Sequence, residues 1–252
     1  MIDVHCHLQD KVFDNDRDKV IERARKVGVK YIITSAINPE EVSKALEIVR
    51  KYEGYVKLTI GHDPTLVSKD VFEEQIQYVT RNLKVIVGIG EVGLDYWYVR
   101  DHDLRELQKK FFIEWIEVAR TYDLPLVIHS RSAGKYAIKV LLENKFYNAV
   151  MHAYDGSVGY AMEAAKYGIK FSIPPSVAYS LQKQKLVKKL SLEDLLLETD
   201  SPVLSPVKGE RNEPANIVYS AKKIAEIKNV DFEKVVEITT ENALNVFKRL
   251  RK

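Results

Sequence analysis

Six histidines occur in the chain, and five of them stand at or beside the ends of short apolar runs. The first run is Ile2-Asp3-Val4-His5-Cys6-His7. Successive side chains of a strand point to opposite faces, so His5 and His7 share one face and Cys6 takes the other. Two imidazoles so arranged can hold one metal ion. His62, His129 and His152 close further predicted strands, and only His102 does not. Carboxylates join them in Gly90-Glu91-Val92-Gly93-Leu94-Asp95 and Glu198-Thr199-Asp200-Ser201-Pro202. Any one of these residues has an ordinary alternative. A buried histidine can simply bond the backbone, Glu91 can be a loop carboxylate, and Asp200 or Asp95 can cap a turn. Six such alternatives would have to hold together to explain the pattern. The set reads instead as a metal-site inventory rich enough for two ions. Cys6 points away from the pair and reads as a small buried hydrophobe.

The elements that must position these residues recur along the whole chain. Apolar, β-branched runs at residues 2–5, 30–34, 55–61, 84–91, 126–129, 149–152, 169–173 and 195–199 read as strands. Continuous apolar stretches such as Val85-Ile86-Val87 suggest strands buried on both faces, as in a parallel sheet. Amphipathic segments at 16–27, 39–52, 72–83, 104–122, 134–144, 159–167 and 177–190 lie between them, and 214–228 and 231–250 follow. Eight strands alternating with helices predict an α/β fold of the (β/α)8 TIM-barrel type, with residues 1–252 as one domain. An open doubly wound sheet is the alternative, and normally carries fewer parallel strands. In a barrel the active site lies at the carboxyl ends of the strands, where the histidines and carboxylates fall.

Composition narrows the classes. The net charge of +3 is too small by itself to argue for a nucleic-acid partner. One cysteine excludes an internal disulfide and fits a reducing compartment. There is no uncharged apolar run of membrane-helix length and no secretion signal, so a cytoplasmic location is expected, with no membrane and no obligate protein partner.

The sequence resembles the TatD-type deoxyribonucleases, a family of metal-dependent hydrolases. The residues carrying the resemblance are Asp3-Val4-His5-Cys6-His7, the Gly90–Asp95 stretch, Leu124-Pro125-Leu126-Val127-Ile128-His129-Ser130-Arg131, His152, Leu197-Glu198-Thr199-Asp200-Ser201-Pro202 and Arg211-Asn212-Glu213-Pro214. The resemblance implies a barrel nuclease with two divalent ions (Mg, Mn or Zn) and nucleic acid as substrate. It also implies that His5, His7, Glu91 and Asp200 surround one ion, and that Glu91 bridges to a second held by His129 and His152. The chain departs from the family at Gly61-His62-Asp63-Pro64, where the histidine is displaced by one position. It departs again at Ser132, and at Ala153-Tyr154-Asp155 after His152. These departures touch the substrate pocket more than the ligands.

The chemistry expected is phosphodiester hydrolysis by an activated water. Glu91 and Asp200 are the candidate catalytic residues, with Asp200 as general base. Arg131 and His62 are the candidate substrate contacts. A guanidinium suits a phosphate oxygen, although Arg131 can equally pair with Asp155 or Glu213. Tyr96-Trp97-Tyr98 can either stack on a base or pack their loop onto the barrel. The lysines at 183, 185, 188 and 189, and the tail Lys248-Arg249-Arg251-Lys252, can either touch a phosphate backbone or form solvated helix faces, and the solvated face is the reading taken. A small-molecule hydrolase on the same barrel, of lactonase, amidase or deaminase type, is the rival reading.

Overall fold

The computed structural model describes residues 1–251. Eight parallel strands follow one another in chain order around a single sheet. They are β1 (Ile2–Cys6), β2 (Tyr31–Ala36), β3 (Val56–Ile60), β4 (Ile86–Gly93), β5 (Leu126–His129), β6 (Ala149–Met151), β7 (Lys170–Ile173) and β8 (Leu195–Leu197). The residues just beyond β8 close the ring onto β1. Asp200 N donates to His5 O (2.9 Å), and His7 N donates to Ser201 O (2.8 Å). Asp3, buried in β1, accepts from Thr199 N (2.9 Å) and Thr199 Oγ1 (2.6 Å). This is the (β/α)8 barrel that the alternating pattern predicts.

Helices α1 (Arg17–Lys26), α2 (Pro39–Lys51), α3 (Lys69–Arg81), α4 (His102–Tyr122), α5 (Gly134–Glu143), α6 (Val158–Lys166), α7 (Leu181–Lys189) and α8 (Ile217–Lys228) cover the outside. α9 (Phe232–Val246) ends beneath the barrel. There Phe247 and Leu250 pack with the inward residues Ile2, Val4, Ile33, Val87, Val127, Val150 and Leu196, and plug the floor. Val85, part of the apolar run read from the sequence, lies before β4 and is 42% exposed. The expected helix at 177–190 is two pieces, a 3-10 turn at Pro175–Ala178 and α7. Ser180 divides them, its hydroxyl capping α7 at Lys183 N. Among the described residues no helix is long and apolar enough to cross a membrane.

Two irregularities in the sheet aim the functional side chains. In β1 the register to β2 slips between Asp3 and Cys6, so three residue steps there oppose two. Val4 belongs to the floor cluster, and strict alternation would turn His5 outward. The extra residue brings His5 and His7 to the inner rim. In β4 the register to β5 slips between Gly90 and Val92, beside Glu91. Gly61 completes this corner: a Cβ there would collide with the Gly90–Glu91 peptide. Its absence lets His62 N reach Glu91 O at 2.8 Å.

Candidate metal centre

Glu91 occupies the middle of the carboxyl-end rim, and its two oxygens face different histidines. Oε2 lies 3.1 Å from His5 Nε2 and 3.7 Å from His7 Nε2. Oε1 lies 3.2 Å from His152 Nε2 and in close contact with His129 Nδ1. Asp200 Oδ1 completes the first side, 3.5 Å from His5 Nε2 and 3.6 Å from His7 Nε2. His5–His7–Asp200 and His5–Glu91–His152 each bring their donor atoms near enough to share an ion. All six residues read from the sequence as ligands therefore meet at one place.

Outer partners fix which nitrogen each imidazole turns inward. His7 Nδ1 lies 3.1 Å from Ser35 O, and His129 Nε2 lies 2.9 Å from Asp95 Oδ2. His152 Nδ1 lies 3.4 Å from Glu198 Oε2. Glu198 is itself held by Ala153 N (2.7 Å) and Ser172 Oγ (2.6 Å). Carbonyls and carboxylates behind imidazoles are the usual support of metal ligands, since they set the tautomer and ring orientation.

The electrostatics demand positive charge in the centre. Burial, together with His152, opposes a proton on His5, yet Asp200 and Glu91 prevail and raise its pKa to about 9. Burial also opposes charging His129, and Glu91 with Asp95 raise it to about 10. Burial opposes ionising Glu91 in turn, and the facing His152 and His129 hold its carboxyl well below the usual range. Buried His5 Nδ1 and Nε2 have no hydrogen-bond partner, although carboxylate oxygens stand close to Nε2. His129 turns Nε2 to Asp95 and Nδ1 to a Glu91 oxygen, so a proton or a metal cation must stand between Nδ1 and that oxygen. Clustered imidazoles and carboxylates with an orphaned inner nitrogen fit divalent ions.

A cavity of about 460 Å³ opens over this cluster, and Arg131, Asp155, Lys183 and Val203 stand in its walls beside Glu91, His129, His152 and Asp200. Arg131 pairs with neither alternative carboxylate. Its guanidinium lies over Trp97 (5.3 Å to the ring centroid) and Tyr98 (5.1 Å), while Glu213 takes Arg23 through bonds of 2.8 and 2.6 Å. The three aromatics divide: Tyr96 packs against the core, whereas Trp97 and Tyr98 are exposed beside Arg131.

His62 stands elsewhere. It is 3% exposed, edge-on to Phe72 and Phe111 at 5.8 and 5.7 Å, and is not among the cavity-lining residues. Burial lowers its pKa, which keeps it neutral in that apolar nest. The one-position displacement in Gly61-His62-Asp63-Pro64 explains this, because neighbouring positions leave the strand end on different faces.

Lys183 also corrects the sequence reading. Lys185, Lys188 and Lys189 are exposed as expected, but Lys183 is 7% exposed and lines the cavity. The available signal was its place in the first turn of the helix after β7, on the functional end of the barrel. Glu198 reads from the sequence as a member of the rim and Asp95 as a rim residue or a turn cap, and neither reading carries their support of His152 and His129. In the basic tail, Arg249 bonds Ile86 O (2.9 Å) at the start of β4, away from the site, and Lys252 falls outside the described residues.

Comparison with known proteins gives the family and the fold. The family profile described as TatD related DNase matches residues 2–248. A relative named deoxyribonuclease TATDN3, from Homo sapiens, is 40% identical over all of this chain and 96% of its own length. An uncharacterized metal-dependent hydrolase of Methanocaldococcus jannaschii is 36% identical, covering 98% of this chain and 97% of its own. The crystal structure of a TatD homolog from Escherichia coli superposes with a TM-score of 0.89 at 25% identity, covering 98% of each chain. The chain belongs to the TatD-related DNase family.

Proposed function

We propose that this protein hydrolyses phosphodiester bonds in DNA at a centre for two divalent ions. One ion site is His5, His7, Glu91 and Asp200; the other is Glu91, His129 and His152. The observation that carries the reading is Glu91, whose two oxygens face two different groups of imidazoles. Family membership and the deoxyribonuclease name of the human relative support DNA as substrate. Imidazole mixed with carboxylate suits Mn²⁺ or Zn²⁺, and Mg²⁺ is the third candidate.

Divalent ions in such a centre supply electrophilic activation of the phosphoryl group and of water. The chain's own residues do the rest. Asp200 reaches the centre from beyond β8, kept ionised by His152, His5 and His7 against the effect of burial, and accepts the water's proton. Arg131 stands in the cavity wall without a carboxylate partner and offers its N–H groups to a phosphate oxygen. Asp95 and Glu198 hold His129 and His152 in register. The single buried thiol of Cys6 supports a reducing, cytoplasmic setting.

The test is elemental analysis of the metal-replete protein together with hydrolysis of single-stranded DNA and of a small phosphodiester. Two ions per chain and turnover of both substrates are expected. One ion with no diester turnover would turn the assignment toward the small-molecule hydrolases.

A further inference from the structure

Lys183 is the one buried lysine or arginine among the described residues, and it makes no carboxylate ion pair there. Its Nζ donates to Ala153 O at 2.9 Å, which uses one of three N–H bonds. The charges of Glu198, Asp155 and Asp200 reach it, yet burial outweighs them and lowers its pKa. Burying an ammonium without a partner is costly, and chains normally avoid it. Stapling the loop after β6 does not account for the cost. Gln182, the preceding residue, already holds that loop with a neutral amide, donating to Gly156 O at 3.0 Å. A second neutral side chain would serve as well as a lysine.

What distinguishes Lys183 is where its remaining N–H groups can go. It lines the same cavity as Glu91, His129, His152 and Asp200, and Arg131 is there too, likewise without a carboxylate partner. Arg131 follows β5, Ala153 follows β6 and Lys183 follows β7, so the two cations flank the loop after β6 on consecutive sectors of the rim. Two unpaired cations bordering one cavity form a receptor for an anion with more than one charged group.

We propose that Lys183 is a phosphate-binding residue, which takes a backbone phosphate of the single-stranded DNA substrate through the N–H groups that Ala153 leaves free. The proposal rests on the reading of the protein as a DNA hydrolase, and it assigns to α7 a contact that complements Arg131.

The experiment is the salt dependence of equilibrium binding, read by fluorescence anisotropy. The probe is a labelled phosphorothioate-linked single strand, which keeps its charges and resists hydrolysis. Each phosphate neutralised by a protein cation steepens the plot of log affinity against log salt by about 0.7 for single strands. Lys183→Met is expected to weaken binding about tenfold or more at low salt and to reduce the slope by about 0.7. Lys183→Arg is expected to keep the slope, and so is Lys188→Met on the exposed side of α7. A purely structural lysine would change thermal stability and leave the slope alone. An unchanged slope in Lys183→Met, an equal loss in Lys188→Met, or no binding by the unmodified protein overturns the proposal. Hydrolysis of unmodified DNA by the parent protein is measured separately, so the nuclease reading survives if only Lys183 fails.

Discussion

His129 and Asp95 are joined at 2.9 Å through Nε2 and Oδ2, and the other oxygen of the same carboxylate holds the loop that follows. Oδ1 accepts from Trp97 N (2.9 Å) and Tyr98 N (2.8 Å). One buried aspartate thus orients a proposed ligand and fixes the two exposed aromatics beside Arg131. Asp95→Ala should lower metal affinity on the His129 side about 10–100-fold, the usual cost of losing such support. It should also free the Trp97 loop. Competition with a chelating dye, alongside acrylamide quenching of tryptophan fluorescence, reads both effects. Trp115 is buried, so quenching reports Trp97. Unchanged affinity would mean that His129 is held by something other than Asp95.

Glu91→Ala and His62→Ala should separate activity from stability. Glu91 faces four imidazoles, so its loss should abolish turnover and release metal from both sides. His62 packs between Phe72 and Phe111, away from the cavity lining. Its truncation should destabilise the fold by about 1–3 kcal/mol and leave turnover per folded molecule nearly intact. Urea unfolding with metal content and initial rates on both variants decides it. Equal losses of turnover would restore His62 to the site.

The contrast between these two histidines marks what the sequence could tell. Parallel strands are buried on both faces and read as apolar runs, so their ends, and the polar residues there, are visible in the chain. His5, His7, Glu91, His129, His152 and Asp200 were legible for that reason. What alternation does not carry is the local register. The slip in β1 that turns His5 inward depends on how β1 pairs with β2. Lys183 was hidden differently. Four lysines within seven residues resemble a solvated face, and it takes the helix start after Ser180 and the packing of the rim to place the first of them in the cavity wall.

The Arg211-Asn212-Glu213-Pro214 motif acts through structure. Asn212 Nδ2 bonds Thr199 O (2.7 Å) and Val203 O (2.8 Å), bracing the turn that carries Asp200. Arg211 grips Asp16 with two bonds of 2.8 and 2.7 Å, tying that turn to the start of α1. The Arg211 hydrogen bonds lower the Asp16 pKa to about 2. A depressed carboxylate contributes stability that is present above the unfolded pKa near 4 and is lost as pH falls towards 2. Both side chains are partly exposed, so solvent screening holds the contribution to about 1 kcal/mol. A double-mutant cycle of Asp16→Asn and Arg211→Gln should give that coupling at pH 6 and progressively less between pH 4 and 2. A coupling that ignores pH would remove Asp16 ionisation as its origin.

Asp200→Asn is the sharpest test of the proposed chemistry. Asp200 has φ 54°, in the left-handed region, where Asn and Asp are tolerated better than other residues with a side chain. Its N–H closes the barrel on His5 O, and its carbonyl accepts from Val203 N (3.0 Å). Asparagine keeps this backbone and the side-chain shape, so circular dichroism and the melting temperature should stay near those of the parent. What it loses is the ability to accept a proton, and much of its strength as a ligand for a hard cation. A general base contributes about 10²–10⁴-fold, and the weakened ligand adds to that. Hydrolysis of a small phosphodiester and of single-stranded DNA should fall together by at least that range. The proposed site at His129 and His152 does not use Asp200, so one ion should remain by elemental analysis. Near-normal turnover at saturating metal would remove Asp200 as the base and return the proton to Glu91 or His152. Loss of both ions would mean that the two sites are filled as one unit through Glu91.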